Sequence, residues 1–194
     1  MERLQELRDM LSSFSENTRI LSEFILDDLL FHTWTASASN VIHHYGTGGL
    51  LQHTYEVIKL CMANNEVFKL IGKGVDGELL FLAALYHDIG KLDSYERVPG
   101  TADDWRHTVD NRKVYHITRS ALRWSKAVDY LRQSGKDYSW ENEDQVLHAI
   151  LAHHGRHEWK SPATPQDRTA WILHLCDAMS ARVDDCIHDK YKKP

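Results

Sequence analysis

The chain has 194 residues, enough for one hydrophobic core and too few for two independent domains without a clear linker. Its hydrophobic fraction of 42% and charged fraction of 26% are ordinary for a globular protein, and no apolar run is long enough to span a bilayer. The net charge of −5 argues against broad binding to a phosphate backbone, because such binding depends on clustered Lys and Arg. A small anionic substrate that a metal neutralises locally remains compatible with this charge.

Apolar residues recur at helical spacing and alternating Val- or Ile-rich runs are few, which predicts an all-α fold. The first helix is predicted at about 2–14, and a second one begins near Ser15. A glycine-rich break then precedes a helix predicted over about 50–64. The next helix, Leu79–Tyr86, is apolar almost all round, so we predict that it lies at the centre of the bundle.

The polar stretch from Asp93 to Val114 is too irregular for a helix prediction. Its length is typical of a functional flap, and we predict a loop there. Three more helices are predicted at about 115–133, 141–153 and 165–187. For the last of them, Thr164 is the predicted N-cap and Pro165 the predicted first-turn residue.

These elements predict a single domain. Residues 1–40 form its N-terminal packing helices, 41–188 its core and 189–194 a solvated tail. The charged N-terminus is followed by no apolar segment, so we expect no secretory signal. Three widely spaced cysteines without a CxxC pair favour reduced thiols. Both features indicate a cytoplasmic protein.

A His-Asp pair stands at the end of the apolar helix, in the run His87-Asp88-Ile89-Gly90-Lys91. Adjacent side chains inside a helix point about 100° apart, so both serve one site only where the helix geometry loosens. A helix end followed by a glycine supplies that freedom. Lys91 places an ammonium group beside any anion that binds there. The chain also holds 13 histidines, which is more than packing needs.

This run resembles the signature of the HD superfamily, in which a distant His, the His-Asp pair and a later Asp surround one metal. The matching ligands in this sequence are His53, His87, Asp88 and Asp177. Three further residues resemble the additional ligands of relatives that hold two or more ions, namely His116, His153 and His154. The resemblance implies a helical HD-domain fold with the metal site at the centre of the bundle.

The resemblance also implies how the ions are shared. Asp88 bridges two ions, and His53, His87 and Asp177 bind one of them. The other ion takes the three additional histidines. Imidazole and carboxylate ligands with open water positions suit Mn, Fe, Ni, Co, Zn or Mg and do not separate these divalent metals. Two ions are therefore expected, with manganese among the candidates.

The strongest overall likeness in motifs is to the HD domain of the YhaM-type 3′-5′ exoribonucleases and their stand-alone relatives, over about residues 43–184. The matching phrases are His43-His44-Tyr45, Gly48-Gly49-Leu50-Leu51, His87 to Lys91, His153-His154-Gly155 and Leu173-His174 before Asp177. Those exoribonucleases carry an additional nucleic-acid-binding domain, and we expect none in a chain of this length. We therefore expect a small nucleotide rather than long RNA as substrate. The residues expected to contact it are His43, His44, Tyr45 and Lys91.

The implied activity is hydrolysis of a phosphoester or phosphoanhydride of a nucleotide, by a nucleotide phosphatase or phosphodiesterase. Asp88 and Lys91 are the expected catalytic residues, with Lys91 stabilising charge on the phosphate. Lys91 and Leu92 stand where stringent-response hydrolases carry an acidic pair, and no HD-GYP motif is present. Both observations argue against those two branches.

Two alternatives stay open. One is a 3′-5′ exonuclease that acts on single-stranded RNA or DNA ends. The other is a non-catalytic module that senses a nucleotide or binds a partner. All three hypotheses are compatible with a homo-oligomer, and none requires a membrane.

Overall fold

The computed structural model describes residues 2–26, 36–39 and 44–187. Within these residues the chain forms helices and one two-stranded sheet. The helices are α1 Glu2–Leu11, α2 Glu16–Leu26, α3 Gly49–Leu70, α4 Gly77–Tyr86, α5 His116–Gln133, α6 Trp140–Ala152 and α7 Arg168–Ile187. The helical fold class predicted from periodicity is confirmed. No helix in the described part of the chain is long and apolar enough to cross a membrane.

Helix α4 forms the centre of the bundle. All of its residues from Leu79 to Tyr86 are buried, because α2, α3, α5, α6 and α7 pack around it. Asp76 caps the start of the helix by accepting hydrogen bonds from the backbone N–H groups of Glu78 and Leu79. A helix that is apolar on every side is stable only when neighbours cover every side. The predicted central position is confirmed, and the helix delivers His87 to the middle of the molecule.

Helices α1 and α2 contribute to the same hydrophobic core as α4. Their core residues are Leu7, Leu11, Leu21, Ile25 and Leu26. This shared core supports the assignment of the N-terminal helices to one domain. The segments 40–43 and 188–194 lie outside the described residues, so the predicted boundary near residue 40 and the predicted solvated tail stay predictions.

The start of α2 is bound by a carboxylate from α4. Glu78 accepts hydrogen bonds from the backbone N–H of Ser15 at 2.8 Å and from the hydroxyl of Thr18 at 2.6 Å, and also from the Ser15 hydroxyl. Burial raises the pKa of Glu78, but these hydrogen bonds outweigh burial and hold the pKa below its usual value. A negative charge at a helix N-terminus also interacts favourably with the helix dipole.

We expect Glu78→Gln to lower the free energy of unfolding by about 1 kcal/mol at neutral pH. Because the pKa of Glu78 is lowered by folding, its contribution is present above the pKa of the unfolded carboxyl and is lost as the pH falls through the folded pKa. Urea denaturation at neutral and acidic pH measures this difference, which should shrink in acid. Glu66→Gln, which removes only an exposed ion pair with Lys69, is the matched control. An equal loss at both pH values would contradict the role of the charge.

Helix α3 extends to Leu70, beyond its predicted end near residue 64. Asparagine has a low helix propensity, which favours an end at Asn64-Asn65. Instead, the buried side chain of Asn65 hydrogen bonds both the N–H and the C=O of Val75 in the following loop. This tertiary contact lets the helix continue. It ends before Gly72, whose φ of 68° is the left-handed conformation typical of a helix C-terminus.

The stretch predicted as a loop contains short regular elements. A 3₁₀ helix, Ile89–Asp93, leads into strand β1, Tyr95–Arg97, which pairs antiparallel with strand β2, Trp105–His107. A second 3₁₀ helix follows at Val109–Arg112. The prediction of an irregular loop is therefore wrong for these residues. Strands of three residues are too short to leave a clear alternating pattern in the sequence.

Helix α7 begins at Arg168, three residues after its predicted start at Pro165. The Asp167 carboxylate accepts a hydrogen bond from the backbone N–H of Ala170 at 2.8 Å, so Asp167 acts as the N-cap. The predicted cap at Thr164 is wrong, because its hydroxyl hydrogen bonds another side chain outside the helix.

Candidate metal centre

The seven predicted metal ligands come together in the middle of the bundle as two adjacent groups. The first, called here the His53 group, contains His53, His87, Asp88 and Asp177. The second, the His116 group, contains His116, His153 and His154. Within each group, one nitrogen or oxygen atom from every residue lies within 4.8 Å of the others, a spacing at which the residues could share one ion. We refer to the two groups together as the His/Asp centre.

Five different helices position these side chains. His53 stands near the start of α3 and His87 directly follows α4, while His116 is the first residue of α5. His153 follows the end of α6, and Asp177 lies in the middle of α7. Since α4 is central and the other four helices pack on it, their side chains converge at its C-terminal end.

Asp88 lies between the two groups. Its Oδ2 is 3.4 Å from Nε2 of both His53 and His87. Its Oδ1 is 3.3 Å from Nε2 of His116 and 3.6 Å from Nε2 of His153. The backbone leaves the helix here, with φ −114° and ψ 3°, which turns the side chain between the groups. The carboxylate therefore points one oxygen at each group, as a ligand that bridges two ions must do.

Three polar atoms at this junction are buried without a hydrogen bond. Among the described residues, Asp88 Oδ1, His116 Nε2 and His153 Nε2 have no hydrogen-bond partner. A buried polar atom without a partner costs about 1–3 kcal/mol, so such atoms are rare in folded proteins. A cation between them would accept a lone pair from each. The donor set therefore fits a divalent metal.

Backbone carbonyls determine which imidazole nitrogen faces the centre. His87 and His153 each place Nδ1 2.7 Å from the carbonyl oxygen three residues earlier. His154 places Nδ1 2.7 Å from the carbonyl oxygen of Trp159. Each Nδ1 donates its proton to that carbonyl, so Nε2 keeps a lone pair for the centre.

His53 is oriented by side chains instead. Its Nδ1 lies 3.2 Å from Ser180 Oγ, and the Ser180 hydroxyl donates to Glu56 Oε2 at 2.9 Å. Because the serine proton goes to Glu56, the serine oxygen accepts the Nδ1 proton of His53. Nε2 then faces Asp177 Oδ1 at 3.0 Å. Burial raises the pKa of Glu56, but hydrogen bonds, with that from His44 foremost, lower it to about 2 and keep the carboxylate ionised.

The pKa of His53 differs from those of the other histidines in the centre whose pKa is shifted, since burial lowers the pKa of His87 as it does those of His116 and His154. Burial lowers the pKa of His53, but Asp177 and Asp88 raise it more strongly, to about 9. Burial lowers the pKa of His116 to about 3 and that of His154 to about 4. The carboxylates of Asp88 and Asp177 thus attract positive charge beside His53, where a metal ion would take the place of the proton, while the lowered pKa values of His87, His116 and His154 favour neutral imidazoles. Both environments suit a bound cation.

Lys91 is buried beside Asp88. Its Nζ lies 2.5 Å from Asp88 Oδ2, and only 8% of its side chain is exposed. Burial lowers the pKa of Lys91, but the negative charge of Asp88 raises it more, so the ammonium group stays charged. Among the described residues, Lys91 therefore pairs with the carboxylate of Asp88. The predicted contact of Lys91 with a substrate phosphate stays a prediction.

The other residues predicted to contact substrate have different surroundings. His43 lies outside the described residues. His44 is only 4% exposed, and its Nε2 lies 2.7 Å from Glu56 Oε2, a placement that favours support of His53 over substrate contact. Tyr45 is 40% exposed, and its hydroxyl accepts a hydrogen bond from the backbone N–H of Trp105 in β2. Its contact with substrate stays a prediction.

Sequence reasoning missed Glu56 and Ser180 as part of the site. Each lies three residues after a predicted ligand, Glu56 after His53 and Ser180 after Asp177. Residues at this spacing share one face of a helix. A polar residue at that position was thus the available signal for a side chain that supports a ligand.

One groove is lined by residues of the His/Asp centre and a second by Tyr115, the neighbour of His116. The Asp177 groove has a volume of about 250 Å³, and its lining includes His154, Trp159, His174, Asp177, Arg182 and Asp185. The Tyr115 groove has a volume of about 350 Å³ and is lined by Asn111, Tyr115, Thr118, Lys160 and Pro162. The ring of Tyr115, which lines this second groove, has its centre 4.2 Å from the centre of the His116 ring.

Comparison with known proteins gives one family and a set of relatives. The family model described as the HD domain matches residues 50–182. The chain is 29% identical over 153 residues to the 3′-5′ exoribonuclease YhaM of Bacillus velezensis, which covers 79% of this chain and 44% of that protein. The protein of the same name from Listeria welshimeri is 29% identical over 169 residues, 86% of this chain and 48% of its own length. For the Bacillus subtilis protein the identity is 28% over 156 residues, with coverage of 79% and 44%.

The chain thus spans less than half the length of these curated relatives. No solved structure matches it. The resemblance that the sequence motifs predicted is confirmed by the family model and by these relatives.

Proposed function

Because the chain belongs to the HD-domain family, we propose that it is a metal-dependent phosphohydrolase that cleaves a phosphoester or phosphoanhydride of a nucleotide with water. The observation that carries this proposal is the geometry of Asp88. One carboxylate presents its two oxygen atoms to two separate groups of buried histidines. A carboxylate that only stabilised the fold would have no need of two sets of imidazole neighbours, nor of two buried Nε2 atoms beside it, those of His116 and His153, that have no hydrogen-bond partner among the described residues.

Membership of the family implies that the centre binds a divalent metal. We propose two ions: His53, His87 and Asp177 hold one, the His116 group holds the other, and Asp88 is shared. A divalent ion bound there lowers the pKa of a water molecule and polarises the phosphoryl oxygens. Imidazole and carboxylate donors suit manganese, iron, nickel, cobalt, zinc and magnesium alike, so the identity of the metal is a matter for measurement.

Two residues of the chain have proposed catalytic roles. Asp88 contributes one negatively charged carboxylate to both groups of ligands. Lys91 keeps that side chain ionised through their 2.5 Å contact and adds a buried positive charge beside the place of reaction. A fixed charge in surroundings that exclude water stabilises developing negative charge on a phosphate strongly.

A second candidate function is 3′-5′ exonuclease activity on single-stranded nucleic acid. The relatives favour it, since they are named as 3′-5′ exoribonucleases. So does the presence of two grooves, one lined by His154 and Asp177 of the centre and one lined by Tyr115 next to His116, since a phosphodiester carries a nucleoside on both sides of the phosphate. The activity of those longer proteins is therefore proposed for this chain as an alternative to hydrolysis of a free nucleotide.

The product of the reaction tests these proposals. The purified chain is incubated with Mn, Mg, Ni or Co and with nucleoside mono-, di- and triphosphates, cyclic nucleotides or end-labelled oligonucleotides. Release of phosphate from a free nucleotide would support the phosphohydrolase. Stepwise release of nucleoside monophosphates, weakening steeply with salt, would instead support the exonuclease. Nucleotide binding without metal-stimulated turnover of any substrate would contradict both proposed activities. It would favour the non-catalytic module that senses a nucleotide.

Ser180→Ala is expected to weaken metal binding by the His53 group about tenfold, because His53 loses the hydrogen-bond acceptor that sets its orientation. Calorimetric titration with Mn or Co measures the affinity directly and does not depend on turnover. Ser22→Ala is the matched control, since Ser22 is also buried but donates its hydrogen bond to the backbone of α2 rather than to a side chain of the centre. Unchanged metal affinity in the Ser180 variant would refute the orienting role.

A further inference from the structure

The Tyr115 groove contains a buried hydrogen-bond acceptor without a partner. Asn111 is only 8% exposed, and its Oδ1 forms no hydrogen bond with any other described residue. Its amide nitrogen lies 2.9 Å from Nδ1 of His107, so strand β2 holds that end of the side chain. The oxygen is then the amide atom without a partner, on a side chain that lines the groove. A buried acceptor of this kind calls for a donor such as a hydroxyl or an N–H group.

Lys160 approaches the same groove from a strained backbone. Its φ of 65° is left-handed, a backbone conformation that is unfavourable for a residue other than glycine. Lys160 Nζ lies 5.2 Å from the centre of the ring of Tyr115, the residue that precedes α5. Thr118, exposed and one turn after Tyr115 on α5, adds a hydroxyl group to the wall.

These residues together present one acceptor, one hydroxyl and one positive charge. We propose that the Tyr115 groove binds the ribose of a nucleotide whose phosphate extends to the His/Asp centre, and that Asn111 determines specificity for the sugar. A sugar hydroxyl donates to Asn111 Oδ1, Thr118 contacts the sugar edge, and Lys160 contacts the phosphate. The proposal deepens the proposed function and rests on it for the placement of the phosphate.

The two grooves differ in a way that favours this placement. The Asp177 groove is lined by the carboxylates of Asp177 and Asp185 as well as by the guanidinium group of Arg182, so its charge is mixed. The described residues lining the Tyr115 groove include Lys160 and no acidic side chain. Its volume of about 350 Å³ falls within the usual range of small-molecule pockets, about 300–1,000 Å³.

The sugar preference is the first test. Methylene-phosphonate analogues of AMP, 2′-deoxy-AMP and 3′-deoxy-AMP, which resist phosphoester hydrolysis, are titrated calorimetrically into the metal-loaded chain. We expect the ribose compound to bind at least about tenfold more tightly than the analogue that lacks the contacted hydroxyl, because that analogue leaves Asn111 Oδ1 unpaired. Asn111→Leu should remove the preference. Equal affinity of the wild-type chain for all three compounds would overturn the proposal.

His107→Phe is the control for a merely structural role of Asn111. It removes the hydrogen bond to the amide nitrogen of Asn111 and retains a ring to stack on Tyr95, while leaving the Oδ1 acceptor in place. The sugar preference should persist in this variant. Its loss to the same extent as in Asn111→Leu would assign Asn111 to the packing of the hairpin and overturn its role in specificity.

Lys160 and Thr118 give tests on exposed residues, where folding is not at risk. Lys160→Ala is expected to weaken binding of the AMP analogue about tenfold. Thr118→Val is expected to weaken its binding by a smaller factor. Lys113→Ala should have no effect, since Lys113 pairs with Asp110 and does not line the groove. Wild-type affinity in both groove variants would overturn the proposal. Inorganic phosphate that binds as tightly as the analogue would also overturn it, by indicating an anion site alone.

Turnover separates failure of this inference from failure of the proposed function. Metal-dependent hydrolysis with an unchanged sugar preference in Asn111→Leu overturns the groove assignment only. Sugar-selective binding without hydrolysis of any substrate overturns the proposed hydrolysis and leaves the groove assignment standing.

Discussion

Asp88→Asn is expected to lower metal-dependent hydrolysis by on the order of a thousandfold or more. The amide keeps the shape of the side chain but removes its negative charge, and only one of its two terminal atoms can still donate a lone pair to a metal. The atoms that faced the His53 group and the His116 group can then no longer serve both. Steady-state rates with the substrate found in the screen, together with metal content by elemental analysis, measure the two effects.

The same substitution has a second consequence. It leaves the ammonium group of Lys91 buried without the carboxylate that lies 2.5 Å away, and breaking a buried ion pair in this way typically costs about 3–5 kcal/mol. Asp88→Asn/Lys91→Met removes both partners and should recover most of the stability while remaining inactive. Asp93→Asn is the control, because Asp93 lies on the 3₁₀ helix that follows Asp88 and pairs instead with Arg123 of α5. Wild-type activity of a folded Asp88 variant on every substrate would refute the proposed mechanism.

Gly90→Ala is expected to lower the free energy of unfolding by about 1–3 kcal/mol and to weaken metal binding by the His116 group. A methyl group at Gly90 would collide with the carbonyl oxygen of His116 and lie 2.7 Å from the backbone nitrogen of Ser120. Both contacts are with backbone, so the 3₁₀ helix and α5 must separate. That movement shifts His116, the first residue of α5, away from Asp88.

Urea denaturation and calorimetric metal titration follow the two parts of this prediction. Gly77→Ala is the matched control, since an added methyl group there meets only the end of the Met62 side chain at 3.5 Å and the Asn65 amide at 3.9 Å, and alanine is the better helix former. We expect Gly77→Ala to be neutral or slightly stabilising. A Gly90 variant with wild-type stability and wild-type metal stoichiometry would show that the close contact has no functional consequence.

Most of the site could be predicted because its residues stand in short local sequence patterns. The run from His87 to Lys91 ends a helix whose apolar surface is uninterrupted, and this combination is enough to predict that the pair lies at the centre of the bundle. The distant ligands came from resemblance, since the spacing between His53 and Asp177 contains no physical signal that they meet. What periodicity could predict was that each stands on a helix.

Other features depend on contacts between distant parts of the chain. The direction of the two Asp88 oxygens follows from a backbone turn that a sequence pattern does not show. The continuation of α3 past Asn65 depends on the loop at Val75, and the acceptor of Asn111 is visible only once β2 holds the other end of its amide. In each case a polar side chain contacts a residue that is close in space but not adjacent in sequence. Local propensity contains no information about such a contact.

The recruitment of ligands from five helices makes the proposed ions cross-links as well as catalytic groups. With the ligands as proposed, each ion joins several helices at one point, and it binds the folded chain far better than the unfolded one. The stability of the protein then rises with the free concentration of the metal, by linkage. Chelation would loosen the very core that α4 organises, so metal supply would set the lifetime of the folded chain in addition to its rate of turnover.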